Sequence, residues 1–242
     1  MQVGKFLGAL VLALSLFFLG LQFKGLEVDA AGVRALTVTL LTILYLLSVK
    51  KRHPLFLAFL IVFTISEILN YATWNFTLET DVDYFYYIGN GLYITAYLFL
   101  IARIILPLEM TKAISRFPIQ TALLTILGLF FVYYVSDTTR NELLYPEYYL
   151  ELLYNSVIMF LMAVALLNYM YRDDKKSMNL LIGTICIVFS EVIQLAYFYI
   201  SDMNLLNVLC SMFLVFAFLF LFIQSKLEHR PILRYQQQDV NV

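Results

Sequence analysis

Two glutamates stand inside long apolar stretches of the chain. Glu67 lies in Leu60-Ile61-Val62-Phe63-Thr64-Ile65-Ser66-Glu67-Ile68-Leu69-Asn70-Tyr71-Ala72, and Glu191 in Thr184-Ile185-Cys186-Ile187-Val188-Phe189-Ser190-Glu191-Val192-Ile193-Gln194-Leu195-Ala196. The two segments align: Ser66-Glu67 falls on Ser190-Glu191, two branched aliphatics follow, then an amide (Asn70, Gln194), then an Ala (Ala72, Ala196). A carboxylate in a membrane helix costs on the order of 3 kcal/mol even on a lenient insertion scale, so it normally faces an interior cavity and finds a partner. Two carboxyls that share a site can divide labour, one protonating an atom while the other activates water. The same pair can serve as alternating protonation sites of a proton-coupled carrier, or as interhelical hydrogen-bonding glue.

The rest of the chain says what positions them. Of 242 residues, 62% are hydrophobic and 14% charged, and the mean hydropathy is +0.82. Soluble domains use about 45–50% apolar residues, so a soluble enzyme is excluded. Sixteen Lys and Arg against seventeen Asp and Glu give a net charge of -1, with no basic field to hold nucleic acid. Five prolines and nine glycines are too few for linkers, so one compact membrane domain is expected over 1–226, followed by a short polar tail over 227–242. Cys186 and Cys210 fall in apolar runs without CxxC spacing and read as small core residues. His53 and His229 sit in basic flanks; no metal site and no cofactor is implied, and no Lys lies mid-span to carry a Schiff base.

Polar interruptions cut the chain into eight stretches of about 20 residues, at 6–22, 33–49, 55–74, 84–106, 117–135, 148–171, 178–200 and 205–225. Their continuity favours helices over the ten-residue alternation of barrel strands, which predicts an all-α, eight-helix transmembrane bundle. The first stretch exceeds a usual signal-peptide core and is read as an uncleaved helix, although Asp29-Ala30-Ala31 would offer a cleavage site. The Asn75-Phe76-Thr77 sequon falls in an outer loop.

Basic residues then set the orientation. Lys5, Lys50, Lys51, Arg52, Arg103, Lys112, Arg116, Arg172, Lys175, Lys176, Lys226, Arg230 and Arg234 gather at the termini and after even-numbered spans, against Lys24, Arg34 and Arg140 on the other side. The positive-inside rule therefore predicts cytoplasmic termini, with Trp74, Tyr84, Tyr145, Tyr148 and Tyr149 forming an aromatic belt at the outer face. Arg103, near a helix end, is expected to snorkel to the headgroups.

Depth brings the polar residues together. Glu67 is thirteen residues beyond Pro54 and Glu191 thirteen beyond Met178, so each lies roughly 20 Å from the cytoplasmic end at 1.5 Å per residue. Asn90 and Asn155, running the other way, reach the same layer, with Tyr93, Tyr97 and Tyr154 within about a turn. The match of the third and seventh spans, four spans apart, predicts a parallel 4+4 internal repeat.

The order of these features resembles the YhhN-type lysoplasmalogenase family, eight-helix membrane proteins that cleave the vinyl ether bond of lysoplasmalogens. The resemblance covers about 200 residues and rests on degenerate motifs. The family's second helix opens with Lys-Pro, where this chain has Arg34-Ala35-Leu36; a basic loop follows, here Lys50-Lys51-Arg52-His53-Pro54-Leu55; and the next helix carries Gly-Asp, here Ser66-Glu67. A family Gly followed eight residues on by His is matched by Gly89 and Tyr97, and a segment like Gly-x-x-x-Phe-x-x-Ser-Asp looks similar to Gly183-Thr184-Ile185-Cys186-Ile187-Val188-Phe189-Ser190-Glu191. The family aspartates thus map onto Glu67 and Glu191, keeping charge type and adding one methylene.

The resemblance implies hydrolysis that begins by protonating the β-carbon of the enol ether. The oxocarbenium ion so formed captures water, and the hemiacetal collapses to an aldehyde and a glycerophospho alcohol. Glu67 and Glu191 would be the acid and the base in either order. Arg34, entering from the outer face, would hold a phosphate, while Asn90, Tyr93, Tyr97, Asn155, Ser66 and Ser190 would orient headgroup or water. The implied partner is a lysolipid or other single-chain amphiphile within the lipid bilayer of a bacterial inner (cytoplasmic) membrane. A non-catalytic lipid-binding protein of the same architecture and a small proton-coupled carrier are the competing expectations.

Overall fold

The computed structural model describes residues 2–74, 84–140 and 143–229. Helices in chain order are α1 (Gln2–Phe23), α2 (Glu27–Ser48), α3 (Pro54–Thr73), α4 (Tyr84–Ile105), α5 (Met110–Arg116), α6 (Pro118–Thr139), α7 (Tyr145–Arg172), α8 (Lys175–Tyr199) and α9 (Asn204–Lys226). Eight are long and apolar enough to cross a membrane, and α5 is a seven-residue turn of helix between α4 and α6. The protein is an all-helical, multi-pass integral membrane bundle, and the expected fifth to eighth spans are α6 to α9. The Asn75 sequon and the acidic residues Glu79, Asp81, Asp83 and Glu142 fall outside the described residues.

Local signals start and stop these helices. Pro54, Pro118 and Pro146 stand in the first turns of α3, α6 and α7, where a missing N–H costs nothing. The α7–α8 connection is tight because Asp173 takes a left-handed conformation (φ 47°) and Asp174 caps α8, its Oδ1 accepting the Ser177 N–H at 2.7 Å. Hydroxyls buried in the spans bond back one turn, as Thr64 does to the Leu60 carbonyl at 2.7 Å, so that they need no water.

Seven helices form a closed ring. α1 packs on α2, α2 on α3, α3 on α4, α4 on α7, α7 on α8, α8 on α9, and α9 returns to α1. α6 lies outside the ring against α7 and turns Ile119, Leu123, Ile126, Leu129 and Phe130 outward, as a lipid-facing helix must. Each half of the chain thus runs through neighbouring helices in order. A 4+4 repeat pairs the α4–α7 contact with one of α9 on α2, whereas the main flank of α9 here is α1.

The ring is filled by an aromatic stack. Phe63 of α3 meets Phe218 of α9 at 4.9 Å and Tyr97 of α4 at 6.2 Å between ring centroids, and Phe59 lies parallel to Phe218. Such offset and edge contacts add to the burial of the rings themselves. At Gly183 of α8, α9 comes so near that an added Cβ would stand 3.1 Å from Leu221 Cγ and 3.2 Å from the Ala217 carbonyl oxygen.

Two ends of the bundle differ in charge. The end bearing the α2–α3, α4–α6 and α7–α8 connections carries most of the Lys and Arg and is called the basic end below; the opposite end carries the α3–α4 and α8–α9 connections. Arg103 departs from expectation. It does not snorkel: it is 8% exposed, its guanidinium lies 5.1 Å over the Phe56 ring, and its Nη2 donates to Gln224 Oε1 at 3.1 Å. Arg103 shares the buried face of α4 with Ala96 and Leu100, and that face, rather than the nearness of a helix end, directs its side chain.

Candidate functional site

Between the opposite end and the aromatic stack lies a cavity of about 440 Å³. Its walls come from six helices: Arg34 of α2, Glu67 and Asn70 of α3, Asn90 and Tyr93 of α4, Glu151 and Tyr154 of α7, Ser190, Glu191 and Gln194 of α8, and Cys210 of α9. Its mouth is set by Trp74 at the end of α3, Phe85 and Tyr86 at the start of α4, and Phe198 and Tyr199 at the end of α8. Phe63 and Leu214 line its apolar depth.

Glu67 is the most tightly held of its groups. It is 2% exposed, its Oε2 receives Arg34 Nε at 2.5 Å, and its Oε1 accepts from the Tyr93 hydroxyl at 3.0 Å. The ion pair joins α2 to α3 and the phenol adds α4, so one carboxyl fixes three helices. Such charge-assisted bonds are strong where water is scarce, and a buried ion pair is tolerated only when its remaining lone pairs are satisfied in this way.

Glu191 has a different setting. It is half-buried, and its Oε1 accepts a 2.5 Å hydrogen bond from the Tyr97 hydroxyl, with Tyr154 lining the same cavity. Tyr97 is itself fully buried against Phe63 and packs edge-on to Tyr154 at 6.1 Å. Glu67 and Glu191 therefore face one space with unlike partners, a cation and a phenol for the first, a phenol for the second.

A third carboxyl completes the wall. Glu151 of α7 is 6% exposed and accepts from Asn155 Nδ2 at 3.1 Å, while the same amide reaches Ser136 Oγ of α6 at 3.3 Å. Three carboxyls and one guanidinium thus line the cavity, which makes it a place for polar or cationic groups at its walls and apolar ones at its depth.

The expected site residues divide accordingly. Arg34, Glu67, Asn90, Tyr93, Ser190 and Glu191 line the cavity, and Tyr97 sits behind Glu191. Arg34, expected to hold a phosphate, is turned to Glu67. Ser66 and Asn155 do not reach the space. Ser66 is buried on the α3–α4 contact, its hydroxyl donating to the Gly89 carbonyl at 3.3 Å, and Asn155 is spent on Glu151 and Ser136. Both misplacements have one cause: depth along a helix is legible from residue number, but the side of the helix that meets the cavity depends on its neighbours. Ser190 is bonded to the Cys210 carbonyl at 2.9 Å, and Asn90 to the Tyr86 carbonyl of its own helix at 2.9 Å.

Glu151, Asn70 and Gln194 are functional candidates that residue depth did not single out. A signal existed for each. Glu151 stands one turn before Asn155, and an acid with an amide four residues later shares a helix face. Asn70 and Gln194 occupy the same place in the two matched segments, three residues after each glutamate, and both line the cavity.

No protein-family model, curated protein or solved structure matches the chain.

Proposed function

We propose that the protein is a membrane-embedded hydrolase that cleaves the vinyl ether bond of a lysolipid, with the basic end in the cytoplasm of a bacterial inner membrane and the cavity opening outward. The observation that carries this reading is that Glu67 and Glu191 line one cavity with unlike partners. The resemblance of their surroundings to lysoplasmalogenases supplies the substrate class. Ion-paired Glu67 is the natural carboxylate. Glu191, held by a phenol and in none of the ion pairs among the described residues, is the natural proton donor.

In this reading the alkenyl chain lies toward Phe63 and Leu214, and the headgroup toward the polar mouth. Glu191 protonates the β-carbon of the vinyl ether, and the carboxylate of Glu67 stabilises the oxocarbenium ion on the adjacent carbon. Water adds to that carbon and gives its proton back to the carboxylates. The hemiacetal then breaks its C–O bond to release the aldehyde and the glycerophospho alcohol, so one water is consumed and no redox partner is needed. The test is aldehyde release from defined alkenyl lysophospholipids by the purified protein, beside the Glu191→Gln variant. Release that vanishes in the variant supports the reading, and no release from folded protein overturns it.

A second reading follows from the shape of the cavity. Phe59, Phe63, Tyr97 and Phe218 close it toward the basic end while its mouth lies at the other, which is the form of a carrier stopped with one gate open. That reading expects uptake driven by a pH gradient in proteoliposomes, lost in the same Glu191→Gln variant, and no aldehyde.

A further inference from the structure

The half of the bundle beyond the aromatic stack contains a cation with no acidic counterpart among the described residues. Arg103 is 8% exposed, and none of the ion pairs among the described residues includes it. Its Nη2 is bonded to Gln224 Oε1, which is neutral, and its Nε is buried without a hydrogen-bond partner. Gln224, 0% exposed, leaves its own Nε2 buried and unbonded, and His53 leaves its Nδ1 so. Buried charges in folded proteins are paired, and buried N–H groups are bonded, because each exception forfeits hydration that nothing replaces.

A second cation and an imidazole lie near the same place. Lys176, half-buried in the first turn of α8, and His53, which precedes α3, are both within electrostatic reach of Arg103. Burial first, and then Arg103 and Lys176, hold the His53 imidazole below its ordinary pKa of 6.5. Its backbone N–H is fixed by the Tyr45 hydroxyl at 2.9 Å, so the ring is presented by an anchored residue. Residues from α4, α8, α9 and the α2–α3 connection thus bring two cations and unused donors together; Asp174 and Glu228 lie within electrostatic reach of Lys176, whereas no acid among the described residues is paired with Arg103.

We propose that Arg103, Gln224, Lys176 and His53 form a binding site for a phosphate oxyanion at the basic end of the bundle. A phosphate group offers several acceptor oxygens and one or two negative charges, which answer the unused donors and the uncompensated guanidinium together. The phosphate comes from a lipid headgroup in the adjoining leaflet or from free phosphate in solution. The site is separate from the outer cavity: Arg103 lies ten residues, roughly 15 Å of helix, beyond Tyr93. It does not depend on the hydrolase reading.

The experiment is thermal melting of the full-length protein in two settings. In neutral detergent, inorganic phosphate is compared with chloride at equal ionic strength; in nanodiscs, phosphatidylglycerol is compared with a galactolipid, which has no phosphate. Ligand binding to the folded state raises Tm by mass action. A rise of a few degrees with inorganic phosphate assigns the site to the free anion, and a rise confined to phosphatidylglycerol assigns it to the headgroup; either supports the proposal. The rise should disappear in Arg103→Gln and fall by at least half in Lys176→Gln, a half-buried position whose change the fold should tolerate. Occupancy should also move the NMR titration of the His53 ring upward, which a purely structural role for Arg103 would not do. No rise in either setting, or a rise retained in both variants, overturns the proposal.

Discussion

Arg34 and Glu67 form an ion pair between α2 and α3, Nε to Oε2 at 2.5 Å, inside the apolar part of the bundle. Each is the other's justification for being there. Either alone would be a buried charge without compensation, and together they lock the layer in which Glu191 also lies.

Removing both partners should therefore cost less than the two single removals added together. Arg34→Met and Glu67→Gln are each expected to destabilise by about 3–5 kcal/mol, and the double variant by clearly less than their sum. Melting curves of the four proteins give the coupling directly. Additive losses would show that the pair contributes nothing as a pair.

Activity should separate Glu191 from its support. Glu191→Gln is expected to lower aldehyde release by about 10²–10⁴-fold, the usual range for a lost general acid, with the fold retained. Tyr97→Phe removes only the phenol that bonds Glu191 and should cost about 0.5–1.5 kcal/mol, a loss of roughly tenfold or less. Initial rates at saturating substrate measure both, and equal losses would mean that Tyr97 does more than position Glu191.

The approach of α8 and α9 gives a packing test. Gly183→Ala must push Leu221 or the Ala217 backbone aside and is expected to cost about 1–3 kcal/mol. Gly128→Ala, with nothing near its added Cβ, should be neutral or slightly stabilising. Comparing their melting temperatures tests whether contact, not glycine content, sets the difference.

Acid should loosen the basic end through His229 and Asp174. His229 Nδ1 lies 2.8 Å from Asp174 Oδ2. Burial holds the His229 ring below its ordinary 6.5 despite the nearby carboxylate. Burial also works to raise the carboxyl of Asp174, but hydrogen bonds from the Ser177 backbone, His229 and the Ser177 hydroxyl together hold it below 3.8. For both groups the unfolded state binds more protons, so their contribution is present above the unfolded pKa and is lost as pH falls. The His229 part begins to go near pH 6.5, and the Asp174 part only below about 3.8. Protection factors of the amides in the first turn of α8, the exchange rates referred to the intrinsic rate at each pH, should therefore fall from pH 7 to pH 5, and less so in His229→Gln; the same fall in both proteins would remove His229 from the account.

Much of the architecture was legible in residue order. Eight apolar stretches can only become spanning helices, because a bilayer leaves backbone groups no partner but their own helix. The unusual cost of Glu67 and Glu191 in such stretches marked them before any contact was known, and their equal distance from the basic end placed them in one layer. Those conclusions needed only rise per residue and the solvation of a charge. Tertiary structure decided everything that depends on rotation and neighbours. It set Arg34 against Glu67 rather than free toward the cavity, drew Glu151 into the wall, left Ser66 and Asn155 outside it, buried Arg103 where a helix-end position suggested the surface, and put α6 outside the ring. The reason is physical: sequence fixes how deep a side chain sits along its helix, whereas the direction in which it points is settled only when other helices close around it.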